Sequence, residues 1–274
     1  KLGIPHTAAF HCQPENITFT LHLGNSKRVN DFVYNRFRDS FFNRFTHIHC
    51  PSNMIADQLR QHGYTAQLHV ISNGISPEYT YGKREKEPWM QGFFNVLMVG
   101  RYAGEKRQDE LIDACAKSRH AQEIQVILAG KGPLEKKYRK LAEKLPNPIV
   151  MSFYEPARLL DILHMADLYV HTSDAEIEAM SCMEAFACGL VPVIADSPRS
   201  ATPQFALDER SLFPAGDTDA LAERIDWWIE HPEERREMER RYAEHARQYS
   251  LEASIRKTEE MFRQAIAEQR GARA

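Results

Sequence analysis

A chain of 274 residues exceeds the usual length of a single domain, so two compact units are expected. A composition of 43% hydrophobic and 27% charged residues is typical of a globular protein and excludes a disordered or collagen-like chain. The net charge of −3 gives no general attraction to nucleic acid, and no apolar run reaches the roughly 20 residues that span a bilayer. Five cysteines without metal-ligand spacing are expected to be reduced thiols. We therefore expect a cytoplasmic protein.

Strands and helices alternate in the first part of the chain. The pattern predicts strands over residues 6–11, 46–52 and 67–74, and helices over 26–45 and 53–63. The first predicted strand begins almost at the start of the chain and no methionine precedes it, so we expect the first domain to be incomplete here. A polar, proline-containing stretch over 77–90 is the predicted linker.

The alternation restarts after the linker. It predicts strands over 94–100, 124–130, 149–153, 167–173 and 191–195, separated by helices, with charged helices from Asp217 onward. Continuous apolar strands between amphipathic helices are typical of parallel sheets covered on both faces. The sequence thus predicts an α/β fold with two doubly wound domains, at residues 1–76 and 91–250. A final helix over 251–274 has an apolar stripe of Leu251, Ile255, Phe262 and Ile266, with Met261 at its edge, which is expected to be buried.

Conspicuous motifs follow the predicted strands at their carboxyl ends, where open parallel sheets bind ligands. VGRYAGEKR places Arg101 and Lys106 after one strand, and AGKGP places Gly130 and Gly132 in a tight turn after the next. HTSDAEIEA follows a third strand and offers a helix N-terminus, which favours an anion. Two cations and a helix N-terminus would suit a diphosphate.

Two glutamates eight residues apart, Glu176 and Glu184, flank the start of that helix. Eight helical positions rotate by roughly 80° and advance about 12 Å, comparable to the spread between a ribose and a hexose across a diphosphate. Because carboxylates accept hydrogen bonds from hydroxyl groups, the pattern predicts a sugar nucleotide as the ligand. Glu176 would then face the sugar ring and Glu184 the ribose.

Together these motifs resemble the retaining glycosyltransferases of family four, whose GT-B fold has two Rossmann-like domains facing a cleft. The Glu176 to Glu184 spacing and the following AFACGLVPVIA resemble the family's E-x7-E signature and the run after it. Four further stretches resemble motifs of the family and occur in the family's order: FHCQPEN, ISNGIS, VGRYAGEK and AGKGP. The resemblance covers nearly the whole chain.

The resemblance implies retaining transfer of a hexose from a nucleotide sugar, most commonly a uridine one such as UDP-glucose, to a lipid or saccharide acceptor. It implies no cofactor and no metal, and a last helix that crosses back to the first domain. The implied catalytic residues are His11, Arg101, Lys106 and Glu176. The implied donor-binding residues are Gly130, Gly132, Ile177, Glu178, Ala179, Met180 and Glu184. Ile177, Glu178 and Ala179 stand where the family usually has glycines, and Glu178 would add a negative charge near the diphosphate.

A basic, aromatic stretch from Lys27 to Phe45 is a separate feature. It has a net charge of +3, from five cations and two aspartates, although the whole chain has −3. Such a helix can lie on an anionic lipid surface. It can equally be a packed domain helix whose arginines are solvated. The first interpretation predicts a protein peripheral to the inner face of a membrane, with a lipid acceptor.

Other functions remain open at this stage. A sugar-nucleotide epimerase or a phosphorylase would share the fold, although no pyridoxal-lysine pattern supports the latter. A non-catalytic sugar-nucleotide-binding protein is a third class. His11 could be a core histidine and Glu184 a buried helix acid paired with a neighbour. His47, His49, His164 and His171 are interpreted as structural.

Overall fold

The structure, a computed structural model, describes residues 4–21, 23–24 and 26–271. The predicted domains also include residues 1–3, 22, 25 and 272–274, which lie outside the described residues. The chain divides into two compact units. The first unit comprises the described residues up to Gly74, residues 176–178 and the residues from Tyr249 onward. The second unit comprises residues 75–175 and 179–248, and therefore includes the predicted linker.

The first unit contains a three-stranded parallel sheet in the order β1-β2-β3. Its strands are β1 (Ala8–Ala9), β2 (His47–Cys50) and β3 (Gln67–Val70). Three helices connect or flank these strands: α1 (Pro14–Thr20), α2 (Lys27–Ser40) and α3 (Asn53–Gln61). The helix predicted over 26–45 ends at Ser40, because Phe41 leaves the helical backbone conformation and a single 3₁₀ turn follows over 42–44.

An aromatic and aliphatic cluster forms the core of the first unit. Its buried members are Phe10, Tyr34, Ile48, Cys50, Ile55, Ala56, Leu59 and Tyr64. The Ser52 hydroxyl accepts the N–H of Ile55 and caps α3. Helix α1 was not expected, because its Ile17 and Thr18 are β-branched residues typical of strands. Pro14 at its first turn favours the helical start.

The second unit contains a six-stranded parallel sheet in the order β6-β5-β4-β7-β8-β9. Its strands are β4 (Phe94–Val99), β5 (Ile124–Ala129), β6 (Val150–Ser152), β7 (Leu168–His171), β8 (Pro192–Asp196) and β9 (Leu212–Pro214). This is the strand order of a Rossmann domain, in which the direction of winding reverses between the first and fourth strands. The reversal therefore lies between β4 and β7, the place where such sheets bind ligands.

Helices accompany these strands, as the alternating pattern predicts. They are α4 (Gln108–Lys117), α5 (Glu135–Leu141), α6 (Pro156–Met165), α7 (Met180–Ala187), α8 (Thr218–Glu230) and α9 (Pro232–Ala246). Gly189 lies two residues after the end of α7 and has φ of 93°. The N–H of Leu190 bonds the carbonyl of Ala185 at 3.0 Å. Gly189 is thus the predicted left-handed cap.

The last helix, α10 (Leu251–Gly271), groups with the first unit. It buries Met261, the predicted edge of the stripe, together with Ser254 and Ala265. Ile255, Phe262 and Ile266 are between 38% and 51% exposed, so the burial predicted for these three is wrong. The start of α10 comes close to the backbone after β3: a Cβ atom at Gly74 would lie 2.6 Å from Cα of Leu251. Polar contacts complete the packing.

Gly130 and Gly132 follow β5 and meet the loop that follows β4. A Cβ atom at Gly130 would overlap the carbonyl oxygen of Gly100, and one at Gly132 would lie 2.5 Å from the carbonyl oxygen of Tyr102. Neither glycine has a positive φ. The sequence predicts a tight turn here, but the structure gives a different reason for glycine: two loop backbones touch.

Replacing Gly130 should therefore destabilise the second unit. We expect Gly130→Ala to lower the free energy of unfolding by at least about 2 kcal/mol, since a methyl group must displace backbone atoms. Urea denaturation followed by circular dichroism measures this. Gly104→Ala is the matched control, because a Cβ atom there meets nothing within 4 Å, and its effect should stay within about 0.5 kcal/mol. Equal effects of the two substitutions would contradict the close-approach argument.

Candidate functional site

Two loops of the second unit meet where the strand order reverses. The Thr172 hydroxyl, just after β7, lies 2.8 Å from the carbonyl oxygens of both Lys106 and Arg107. The N–H of Asp174 donates to the carbonyl of Glu105 at 2.8 Å. The loop after β4 is therefore fastened to the loop after β7 through its backbone groups.

The predicted cations Arg101 and Lys106 both lie in the loop after β4. The Arg101 side chain is 60% exposed, and its guanidinium contacts the carboxylate of Glu105 at 3.0 Å. Its carbonyl accepts the amide of Gln108 at 2.9 Å. Methylene groups of Lys106 lie beside Gly100, since a Cβ atom there would be 3.8 Å from Cδ of Lys106. Both cations thus stand at the carboxyl end of β4.

The N-terminus of α7 reaches the same strand end. The Ser181 hydroxyl donates to the carbonyl of Val99 at 3.3 Å and accepts the Tyr169 hydroxyl at 3.0 Å. Ala179 precedes the helix with φ of 63°, and no side chain caps this end. The predicted residues Ala179 and Met180 therefore bring a positive helix end to the end of β4. A non-glycine residue in the left-handed region costs about 1–2 kcal/mol, which is typical of strain held at a functional site.

A cavity of about 360 Å³ opens beside these groups at the carboxyl ends of β4, β5 and β6. It is lined by Val99, Gly100, Arg101, Ala129, Gly130, Lys131, Phe153, Tyr154 and Leu159. The ammonium of Lys131 lies 4.1 Å from the centre of the Phe153 ring. Sequence reasoning found Arg101 and Gly130 but missed Phe153 and Tyr154. The signal was present, because Phe153 ends the strand predicted over 149–153 and Tyr154 follows it directly.

Glu184 lies two turns into α7 and is partly buried. Burial and the charge of Glu78 raise the pKa of Glu184 to about 7, although a hydrogen bond from Tyr79 opposes the shift. Burial together with Glu184 also raises the pKa of Tyr79 to about 12. Glu184 is therefore a carboxyl group that exchanges its proton near neutral pH.

Residues 176–178 form part of the first unit, unlike the residues on either side. The carboxylate of Glu178 is 1% exposed and accepts both the backbone N–H and the side-chain amide of Asn73, at 2.9 and 2.6 Å. Burial raises the pKa of Glu178. Ile177 packs against the core cluster of the first unit, and Glu176 is buried. The predicted contacts of these three residues with a donor stay predictions.

His11 lies in the first unit, just after β1, and is exposed, so it is not a core histidine. Its Nε2 atom is 3.2 Å from Nδ1 of His49. Partial desolvation of this otherwise exposed ring, followed by the neighbouring His49, lowers the pKa of His11. An imidazole that stays neutral can exchange hydrogen bonds with hydroxyl groups.

Residues 82–248 match the family model described as "Glycosyl transferases group 1", and residues 1–79 match "Glycosyltransferase Family 4". The chain is 31% identical over 164 residues to the GDP-mannose-dependent alpha-mannosyltransferase of Corynebacterium glutamicum. That alignment covers 58% of this chain and 37% of the mannosyltransferase, so the chain spans little more than a third of that relative.

Two solved structures are similar. The catalytic domain of cholesterol-alpha-glucosyltransferase from Helicobacter pylori is 49% identical, with a TM-score of 0.56, over 57% of this chain and 99% of that chain. Anabaena Alr3699/HepE in complex with UDP is 21% identical, with a TM-score of 0.74, over 95% of this chain and 72% of that chain. The second likeness concerns the fold alone.

The pKa of Glu184 makes stability depend on pH. The folded protein keeps a proton that the unfolded chain releases between the ordinary value of 4.5 and about 7, so this contribution is present at low pH and is lost as pH rises through 7. We expect Glu184→Gln to gain about 2 kcal/mol of unfolding free energy relative to wild type between pH 5 and pH 8, after discounting for partial exposure. Urea titrations across this range measure the change. The exposed Glu143→Gln serves as control, and a pH-independent difference for Glu184→Gln would contradict the argument.

Proposed function

The chain belongs to the group 1 glycosyl transferases, and we propose that it transfers a hexose from a nucleotide sugar to an acceptor with retention of configuration. Its fold class is GT-B, with Rossmann-like parallel sheets in both units, as the sequence predicts. One observation carries the proposal: in the second unit, two cations, the N-terminus of α7 and a cavity meet at the end of β4.

The diphosphate of the donor would lie on Arg101, Lys106 and the start of α7. A nucleoside diphosphate gains negative charge as it leaves, and fixed positive groups stabilise that charge without reorganising. The helix end adds roughly half an elementary charge. We therefore propose that the reaction needs neither a cofactor nor a resident metal ion, because these groups supply the required positive charge.

The base would enter the cavity beside Arg101. Phe153 and Tyr154 offer aromatic faces on which a planar ring can stack. We propose a uridine nucleotide and a glucosyl group, hence UDP-glucose. The resemblance of the motifs favours uridine, and one neighbour favours the glucosyl group, since the Helicobacter protein is a cholesterol-alpha-glucosyltransferase. The mannosyltransferase makes GDP-mannose the competing donor.

Carboxylates would hold the hydroxyl groups of the donor. Glu184 is assigned to the ribose, whose adjacent hydroxyls favour an ionised acceptor. Because the pKa of Glu184 is about 7, donor affinity should rise as pH increases through neutrality. Glu176 is assigned to the hydroxyls of the hexose, and His11 to the region of the anomeric carbon or the primary hydroxyl.

The chemical step requires no enzyme nucleophile. The bond between the anomeric carbon and the diphosphate oxygen breaks, and the acceptor oxygen bonds to the same face of that carbon. The proton of the acceptor hydroxyl passes to the departing diphosphate oxygen. Arg101 and Lys106 would stabilise the diphosphate. Their contribution would be largest in the transition state, because negative charge accumulates on the diphosphate as the bond breaks.

An exposed surface on α2 supports a lipid acceptor. Arg28, Phe32 and Arg36 follow one another at four-residue spacing and are all exposed, and Phe32 is 67% exposed. The two arginines form no ion pair or side-chain hydrogen bond within the described chain. Lys27 and Arg38 differ, since they pair with Asp31 and Asp39. Arg28, Phe32 and Arg36 are therefore the groups of this helix that can meet a surface.

We propose that this face docks on an anionic membrane from the cytoplasmic side. Leu21 and Leu23, in the segment before α2, are 63% and 44% exposed and add apolar area. No helix in the described ranges is long and apolar enough to cross a bilayer. The Helicobacter neighbour is a cholesterol-alpha-glucosyltransferase, and cholesterol is a lipid. A soluble saccharide is the competing acceptor.

Donor binding tests the central proposal. A nucleotide sugar at 100 times its dissociation constant should add about 2.7 kcal/mol to the unfolding free energy, and UDP-glucose should do so in preference to GDP-mannose. Lys106→Ala should lower turnover by about a hundredfold, because a preorganised charge is lost. Lys117→Ala is the control, because Lys117 is the last residue of α4, at the end of that helix away from the loop after β4. The proposal fails if no sugar nucleotide stabilises the protein or if both lysine variants behave alike.

Vesicle binding tests the membrane proposal. Wild-type protein should co-sediment with vesicles containing phosphatidylserine at low salt and be released at high salt, since each cation contributes about 1 kcal/mol before screening. Arg28→Glu/Arg36→Glu should abolish co-sedimentation. Phe32→Ser should weaken it without changing its salt dependence. Salt-insensitive or absent binding of the wild type, with activity on a water-soluble saccharide, would assign the acceptor to the saccharides.

A further inference from the structure

Four histidines gather on the sheet of the first unit. His47 and His49 are two residues apart on β2 and so face the same side, and His49 lies opposite His69 on β3. His11 follows β1. The four rings form two hydrogen-bonded pairs: His11 with His49 at 3.2 Å, and His47 with His69 at 2.9 Å. Sequence reasoning assigned His47 and His49 to structure alone.

The protons of the first pair can be assigned from its surroundings. Nε2 of His49 lies 2.6 Å from the carbonyl oxygen of Ile71, which can only accept, so Nε2 carries a hydrogen. A neutral imidazole with hydrogen on Nε2 has a bare Nδ1. When His49 is neutral, its Nδ1 therefore accepts a hydrogen bond from Nε2 of His11. His11 in turn has its hydrogen on Nε2 and a lone pair on Nδ1.

We infer that His49 is a positioning residue that holds His11 in one orientation and one tautomer, with Nδ1 presented as a hydrogen-bond acceptor. This inference rests on the proposed function and deepens it. An acceptor nitrogen fits a hydroxyl group of the donor sugar, and in this tautomer Nδ1 cannot act as a proton donor. The lowered pKa of His11 keeps the ring neutral and is consistent with this role.

The second histidine pair provides a matched control. Nε2 of His47 lies 3.0 Å from a carboxylate oxygen of Glu268, and its Nδ1 lies 2.9 Å from Nε2 of His69. This pair does not bond His11, although His69 lies opposite His49 on the neighbouring strand. A substitution at His69 therefore reports the effect of changing the surroundings of His49 while its bond to His11 is kept.

The first measurement is spectroscopic and needs no substrate. Long-range proton–nitrogen correlation on protein with ¹⁵N-labelled histidine should show His11 protonated at Nε2 and bare at Nδ1. His49→Phe keeps a ring but removes both nitrogens, and should release His11 into a mixture of tautomers. His49→Gln can donate to Ile71 and accept from His11, so it should restore the wild-type signals. His69→Phe should leave them unchanged. Hydrogen on Nδ1 of His11 in the wild type, or unchanged signals in His49→Phe, would overturn the inference.

The second measurement is a double-mutant cycle with UDP-glucose as donor. His49→Phe should lower kcat by about tenfold and change KM for the donor by less than about twofold, since one oriented hydrogen bond is lost. In a His11→Ala background the same change should cost less than about twofold, because the two residues act together. Equal costs in both backgrounds would mean that His49 acts through packing. If no sugar is transferred at all, the proposed function fails and the spectroscopic measurement still decides the role of His49.

Discussion

The hydrogen bonds from Thr172 to the carbonyls of Lys106 and Arg107 hold together the two loops at the centre of the second unit. They fix the loop after β4, in which Arg107 turns through a left-handed conformation before α4 begins. Arg101 and Lys106 take their places from that loop. Without this bond, two charged side chains would sit on a mobile segment and lose the preorganisation that electrostatic stabilisation requires.

The contact between Gly100 and Gly130 extends the same constraint to the next strand. Because no side chain separates the two backbones, the loops after β4 and β5 close against each other and shape one wall of the cavity. Glycine is needed at these positions because it has no side chain, which allows the two backbones to touch. Ala179 shows the opposite case, since a side chain occupies a backbone conformation that favours glycine. The second unit thus accommodates a strained backbone conformation at Ala179, whereas a side chain at Gly130 would push the two loops apart.

Much of the second unit could be predicted from sequence. Its strands are continuous apolar runs, and Arg101, Lys106 and Gly130 follow them directly, so the rule about carboxyl ends locates them without coordinates. Phe153 was missed because the sequence predicts it as the last residue of a strand, whereas β6 ends at Ser152. The membership of residues 176–178 in the first unit could not be predicted, since it depends on the long-range contact between Glu178 and Asn73. Burial on α10 was also predicted wrongly in part, since Ile255, Phe262 and Ile266 are exposed while Met261 and Ala265 are buried.

The bond between His47 and Glu268 joins residues separated by 221 positions, and the first unit is completed by a helix made after the whole of the second. The amides of Gln67 and Gln264 pair across a similar interval, at 2.8 Å. During synthesis, the strands of the first unit leave the ribosome long before α10 exists. The sheet of the first unit therefore lacks the contacts of α10 during this time. The second unit is contiguous in sequence apart from residues 176–178, so all of its residues are available earlier. The order of folding is therefore expected to run from the second unit to the first, against the direction of the chain.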